Sequence, residues 1–166
     1  MTKIYIDMDG TIARWDWVGP DVFTSRGYYA TRPPMANMVN AVKRLCAMKG
    51  VEVYILSAVL QDDHSESDKN RWLDVQFGNL IPNDHRIFVP YGESKNRYVD
   101  AEGAVLVDDY NPNLWEWDGI PVKILNGING SSGEWSGYVV DHRSAPDAIV
   151  KTLLGIARVE TEDLAA

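Results

Sequence analysis

The chain is poor in cysteine, holding only Cys46 among its 166 residues. A lone thiol closes no internal disulfide and supports no cysteine-based metal site. Cys46 falls on the apolar face of a predicted helix, where core packing accounts for it. Long apolar runs are also missing: none approaches the roughly 18 residues that a membrane span requires. The N-terminus passes directly into Lys3-Ile4-Tyr5-Ile6-Asp7 without a signal-peptide core, so the expected location is cytoplasmic, with no membrane partner. Positive charge is scarce, with 16 Lys and Arg against 24 Asp and Glu for a net charge of -8. A nucleic-acid backbone therefore finds no broad basic face, and any bound phosphate must be neutralised locally by a metal or a few placed cations. The three histidines, His64, His85 and His142, lie in polar loops and lack metal-ligand spacing.

Apolar residues are present in ordinary measure: at 45% hydrophobic and 24% charged, the composition excludes disorder and predicts a folded domain. Five short β-branched segments recur, at 3–7, 51–57, 86–91, 104–108 and 121–125. Between the first two, Met35, Met38, Val39, Val42, Leu45 and Cys46 share one helical face, with Pro33 and Pro34 as a start signal and Gly50 as a stop. Further helices are expected at 67–77, near Ser94, and after Ser144 and Pro146. Strands alternating with helices predict an α/β fold with a mainly parallel five-stranded sheet covered on both faces. One domain over 1–160 is expected, with a small insert at 12–34 and a frayed tail at 161–166.

In such sheets ligands bind beyond the carboxyl ends of the strands. There the sequence places Asp7, Ser57 and Asp108, each where an apolar run gives out. Asp7 and Asp9 are one residue apart in Asp7-Met8-Asp9-Gly10-Thr11, where Gly10 permits a turn that brings amides toward an anion. If Asp108 and Asp109 converge on the same edge, four carboxylates crowd together, a repulsion that a hard divalent cation such as Mg²⁺ relieves. One carboxylate is then free for in-line attack on phosphorus while a neighbour protonates the leaving oxygen, roles that suit Asp7 and Asp9.

These four elements in this order, Asp7-Met8-Asp9-Gly10-Thr11, Ser57, a later lysine and Asp108-Asp109, resemble the motifs of the haloacid dehalogenase superfamily. They span about two thirds of the chain. The resemblance implies a three-layer Rossmann-like core. It makes Asp7 the nucleophile and a Mg²⁺ ligand, and Asp9 the general acid and base, which ligates through its carbonyl. Thr11, Ser57 and a lysine would bind phosphate, and Asp108 and Asp109 would complete the metal site. Lys95, one short helix and strand before the acidic pair, matches the third motif, with Lys69 as the alternative. Within the superfamily, Tyr91-Gly92-Glu93-Ser94-Lys95 and Pro121 to Gly127 resemble small bacterial and phage 5'(3')-deoxyribonucleotidase-like proteins. Unlike deoxyribonucleotidases proper, the chain has only a minimal cap insert at 12–34. That insert carries Arg14, Trp15, Trp17, Phe23, Arg26, Tyr28, Tyr29 and Arg32. Arg14, Trp15 and Trp17 are candidates for substrate contact, although aromatics in a small loop also serve as local packing.

The expected activity is Mg²⁺-dependent hydrolysis of a phosphomonoester, with a nucleotide as the expected partner and nucleic acid disfavoured. Other readings are a phosphatase of another small or macromolecular phosphoester, a phospho-accepting receiver-type module, and a silent nucleotide-binding relative. A receiver module would carry its acceptor on the third strand, yet the third predicted strand ends in Phe88-Val89-Pro90-Tyr91 without an acid.

Overall fold

Aliphatic residues at every second position along six segments build one open, all-parallel sheet. The computed structural model describes residues 1–129 and 134–163, with side chains as far as Arg158. Its strands are β1 (Thr2–Ile6), β2 (Val51–Val59), β3 (Arg86–Pro90), β4 (Val105–Asp108), β5 (Ile120–Leu125) and β6 (Tyr138–Asp141). They lie in the order β3-β2-β1-β4-β5-β6. The α-helices are α1 (Pro20–Phe23), α2 (Ala36–Cys46), α3 (Ser65–Phe77), α4 (Asn111–Trp115) and α5 (Pro146–Asp163). The sheet thus has six strands where five were expected. The missed strand, Tyr138-Val139-Val140-Asp141, is an edge: only Val140 is buried, so its apolar signal is too thin to stand out.

The pleat sends alternate side chains to opposite faces. Ile4, Ile6, Val53, Ile55, Val105 and Val107 join the larger core with α2, α3 and α5, while Tyr5, Leu56, Leu106 and Val89 join the smaller one with Leu114 and Trp117. Both faces are covered, but the second is covered only by short pieces. α2 buries Met38, Val39, Ala41, Val42 and Leu45, a full stripe worth about 1.5–3 kcal/mol per large side chain removed from water. Cys46 packs at the margin of this core, where burial pushes its thiol up to about 11. Trp117 wedges against Tyr5, its indole N–H donating to Ala104 O at 3.0 Å, whereas Trp115 is exposed.

Several boundaries moved for local reasons. α3 begins at Ser65, two residues before its expected start, because the Asp62 carboxylate accepts the amides of His64 and Ser65 at 3.0 and 2.7 Å. The helix expected near Ser94 is a single 3-10 turn, Lys95–Arg97. β2 continues two residues past Ser57: its pairing with β1 stops at Ile6–Ile55, but pairing with β3 runs on to Val59–Pro90. His85 is not a free surface group, since its Nδ1 meets Val53 O at 2.9 Å and its ring stacks on Tyr54. α5 runs to Asp163; the end of the expected frayed tail, 164–166, and Gly130 of the expected tight turns at 126–130 lie outside the described residues.

The 12–34 insert leaves and re-enters the core at one point. Arg14 N donates to Pro33 O at 2.8 Å, Met35 N donates to Ile12 O at 2.8 Å, and Ala13 bridges Pro34. Its far side is tied to α3: Trp72 Nε1 donates to Arg32 O at 2.7 Å, and the buried Asp68 carboxylate accepts Gly27 N at 2.5 Å. Asp68→Ala is expected to cost about 1–3 kcal/mol, the value of a buried charge-assisted bond. It should also speed hydrogen exchange at Gly27, read by urea unfolding and exchange mass spectrometry. Unchanged exchange would show that Asp68 does not hold the insert.

Candidate active site

The chain builds outward from β1 in one direction through β2 and β3, then crosses to β4 on the other side of β1. This reversal opens a crevice at the carboxyl ends of β1 and β4, the ordinary location for a ligand in an open parallel sheet. Because Ile6 pairs with Val107, Asp7 and Asp108 emerge side by side. Asp7 N still donates to Val107 O at 2.9 Å, so the carboxylate is anchored to the sheet.

Beyond Asp7 the backbone turns on itself. Thr11, Ile12 and Ala13 donate their amides to Met8 O at 3.1, 2.9 and 2.9 Å, and Gly10 N donates to Ala13 O at 2.8 Å. Those four amides are therefore spent within the loop, contrary to the expectation that Gly10 turns them toward an anion. The amides of Met8 and Asp9 have no carbonyl partner among the described residues. Gly10 is required on two counts. Its φ of 78° lies in the left-handed region, and a Cβ would overlap the Asp109 carboxylate.

Asp7, Asp108 and Asp109 each offer an oxygen such that all three lie within 4.8 Å of one another, and all three residues are buried. The set could hold a metal ion, and three hard oxygen donors suit a divalent cation. Asp9 is not in this triad; its carboxylate faces Lys69 Nζ at 2.5 Å. The partners of the acidic pair differ. Asp108 is fully engaged, Oδ1 accepting Tyr110 N at 2.8 Å and Oδ2 accepting Lys95 Nζ at 2.6 Å and Asn113 Nδ2 at 2.9 Å. Asp109 accepts Asn126 Nδ2 and Asn129 Nδ2 at 2.8 and 2.6 Å, both on Oδ2. Its Oδ1 has no donor among the described residues, which makes Asp109 the acid of the pair with an oxygen to give.

Both candidate lysines reach the site. Lys95 Nζ donates to Asp7 Oδ1 at 2.8 Å as well as to Asp108, and these partners hold it charged despite burial. Lys69 Nζ donates to Asp9, to Ser57 Oγ at 2.9 Å and to Ala58 O at 2.5 Å. Thr11 Oγ1 is buried without a partner among the described residues. Asn126, Asn129, Asn113 and Lys123 were not among the expected site residues. Asn126 Oδ1 accepts the amides of Ile128 and Asn129 at 2.8 and 3.0 Å, an Asx turn that swings Asn129 onto Asp109. Lys123, buried beside Asn111, donates to Asp109 O at 2.9 Å. The Asn126-Gly127-Ile128-Asn129 spacing was the available signal, and it reads only as a turn.

Above the acids lies a cleft of about 360 Å³. Trp15, Trp17, Phe23 and Tyr29 of the insert line it, together with Tyr91 and Tyr110. Trp15 also packs edge-on to Tyr28, while Trp17 is 77% exposed. Arg14 does not line the cleft; it pairs with Asp16 at 3.1 Å. Arg32 lies over the Tyr28 ring, and Arg26 pairs with Asp63.

Three of the four carboxylates here bond Lys95 or Lys69, while Lys123 meets Asp109 only at its backbone oxygen, and burial makes the excess of acids costly. Burial pushes Asp7 up to about 6, against the pull of Lys95 and with the help of Asp108 and Asp9. Asp109 is raised well above its ordinary value by burial, then by Asp108 and Asp7. In comparison with known proteins, no family model matches the chain and no curated protein sequence matches it.

Gly10→Ala is expected to displace Asp109 and weaken divalent-cation binding at least about tenfold by titration calorimetry, since it disturbs a ligand and its support together. Unaltered affinity would place the metal elsewhere. The raised Asp7 value also sets a sign. The folded protein holds this proton more tightly than the unfolded chain, so the contribution is present below 3.8 and is lost as pH rises through about 6. Metal-free Asp7→Asn should therefore gain Tm over metal-free wild type between about pH 4 and about pH 7, by roughly 5–10 °C, and a divalent cation should close the gap. A constant difference across that range would refute the buried-charge account.

Proposed function

We propose that the chain is a Mg²⁺-dependent phosphomonoester hydrolase of the haloacid dehalogenase kind, forming an aspartyl-phosphate on Asp7 and acting on a nucleotide-sized substrate. The observation that carries this reading is the convergence of Asp7, Asp9 and Asp109 on the floor of an aromatic-walled cleft at the β1–β4 switch point.

Asp7 and Asp109 would hold Mg²⁺, with Asp108 beside them. A bound ion supplies neutralisation of the phosphoryl oxygens and of the acids around them. Lys95 fixes Asp7 by Oδ1, leaving the other oxygen to attack phosphorus; of its three N–H groups two are taken, and the third can meet a phosphoryl oxygen. As the Asp7 oxygen bonds to phosphorus, the ester P–O bond breaks and Asp9 gives its proton to the departing oxygen, which leaves as an alcohol. Water then attacks the aspartyl-phosphate, Asp9 accepts its proton, and inorganic phosphate departs with Asp7 restored. The Ser57 hydroxyl, the unpartnered Thr11 hydroxyl and the Met8 and Asp9 amides are the remaining donors for phosphate.

The walls favour a planar, uncharged leaving group. Aromatic faces stack on a base, and a cleft of about 360 Å³ is in the range of small-molecule sites. Receiver-type sheets run in the order 2-1-3-4-5, whereas here two strands precede the switch on one side. That difference, with the absence of an acid at the end of β3, weighs against the phospho-accepting module.

Phosphate release from 5'- and 3'-mononucleotides, sugar phosphates and p-nitrophenyl phosphate provides the test. Nucleotides are expected to be preferred, EDTA to stop turnover, and Asp7→Asn to lower kcat by more than about 10³-fold. Asp9→Asn should cost about 10²–10⁴-fold, the usual worth of a positioned general acid. Turnover by Asp7→Asn, or full activity in EDTA, would sink the mechanism.

A further inference from the structure

From the hydrogen bonds around Lys69 we infer that this residue positions Asp9 and Ser57 for the reaction and is not itself a phosphate ligand. This inference rests on the hydrolase reading above.

Lys69 comes from the middle of α3 and is 1% exposed. An ammonium group has three N–H donors and no acceptor. In Lys69 all three are committed to protein: Asp9 Oδ2 at 2.5 Å, Ser57 Oγ at 2.9 Å and Ala58 O at 2.5 Å. Lys95 differs, having two protein acceptors and one N–H to spare. Lys95 and Lys69 thus divide the work between an ammonium that reaches substrate and one that does not.

The commitment of Lys69 has two chemical consequences. Ser57 Oγ must accept from Lys69, so the hydroxyl hydrogen points away from Lys69 and is free to donate to a phosphoryl oxygen. Asp9 is held by Oδ2 alone, which leaves Oδ1, without a donor among the described residues, as the oxygen that exchanges a proton with the departing group. One cation therefore sets the direction of a hydroxyl donor and the orientation of the acid that completes P–O cleavage. The Tyr29 ring, 4.9 Å from Lys69 Nζ, closes the remaining side with a face that attracts a cation and offers it no lone pair.

Leaving-group chemistry separates positioning of an acid from binding of phosphate. A nucleoside 5'-phosphate expels an alkoxide that needs a proton, whereas p-nitrophenyl phosphate expels an anion stable without one. Both esters carry the same phosphoryl group. kcat/KM reports only the steps through departure of the leaving group and so excludes breakdown of the aspartyl-phosphate.

For Lys69→Met, kcat/KM should fall about 100-fold on the nucleoside monophosphate. The fall should exceed that on p-nitrophenyl phosphate by at least about tenfold. Because Lys69→Met strips three buried acceptors of their donor, Lys69→Gln, which keeps an amide donor, is measured beside it and should show the same bias. Equal losses on the two esters in a folded variant would overturn the assignment and make Lys69 a phosphate ligand. Undiminished kcat/KM on both would make it purely structural. A wild-type protein that hydrolyses neither ester would overturn the hydrolase reading itself, an outcome visible before any variant is compared.

Discussion

Charge balance in a buried place governs this structure. The parallel register of β1 and β4 delivers Asp7 and Asp108 together, and the loop behind each adds a second acid. Carboxylates this close do not stay ionised without compensation, and the fold supplies it from two directions. Lys95 arrives on a short 3-10 turn over the thin face of the sheet, and Lys69 arrives from α3 on the thick face. With Lys123 against the Asp109 backbone as a third ammonium, the four acids still outnumber the lysines around them, an excess of the sign that a cation offsets.

Supporting groups turn that crowd of acids into distinct parts. Asp108 is held on both oxygens by Lys95, Asn113 and the Tyr110 amide, which fixes its orientation. Asp109 is gripped on one oxygen by two asparagines from beyond β5, and the other oxygen has no donor among the described residues. Asn126 also donates to Gly10 O at 2.7 Å, which stitches the first acidic loop to the second. Such supporting bonds fix ligand orientation as firmly as the ligands themselves fix a metal.

Much of this was legible in the chain. Asp7 and Asp108 announced themselves because each follows an apolar run, a pattern set by local burial, and Asp9 and Asp109 by standing beside them. The α/β alternation was legible for the same reason. What escaped depended on distant partners. Ser57 looked like a strand end because its pairing with β1 does stop nearby, yet β3 carries the strand on. Val140 alone could not signal β6, since an edge strand buries so little. Lys69 and Lys95 competed for one role because sequence order cannot count hydrogen-bond acceptors in space. Asn126 and Asn129 carried a turn signature identical to that of an ordinary surface loop; only their contact with Asp109 gives them meaning.

The neck of the insert, where Arg14 meets Pro33 and Ile12 meets Met35, makes the cleft wall modular. Chain that departs and returns through one backbone bridge can be lengthened without shifting the strands beneath it, and closing a loop of twice the length costs only about 0.6 kcal/mol more. The acidic floor and the aromatic wall above it can therefore diversify on separate schedules. A library of loops grafted between Arg14 and Pro33 would set new walls over an unchanged set of acids and lysines.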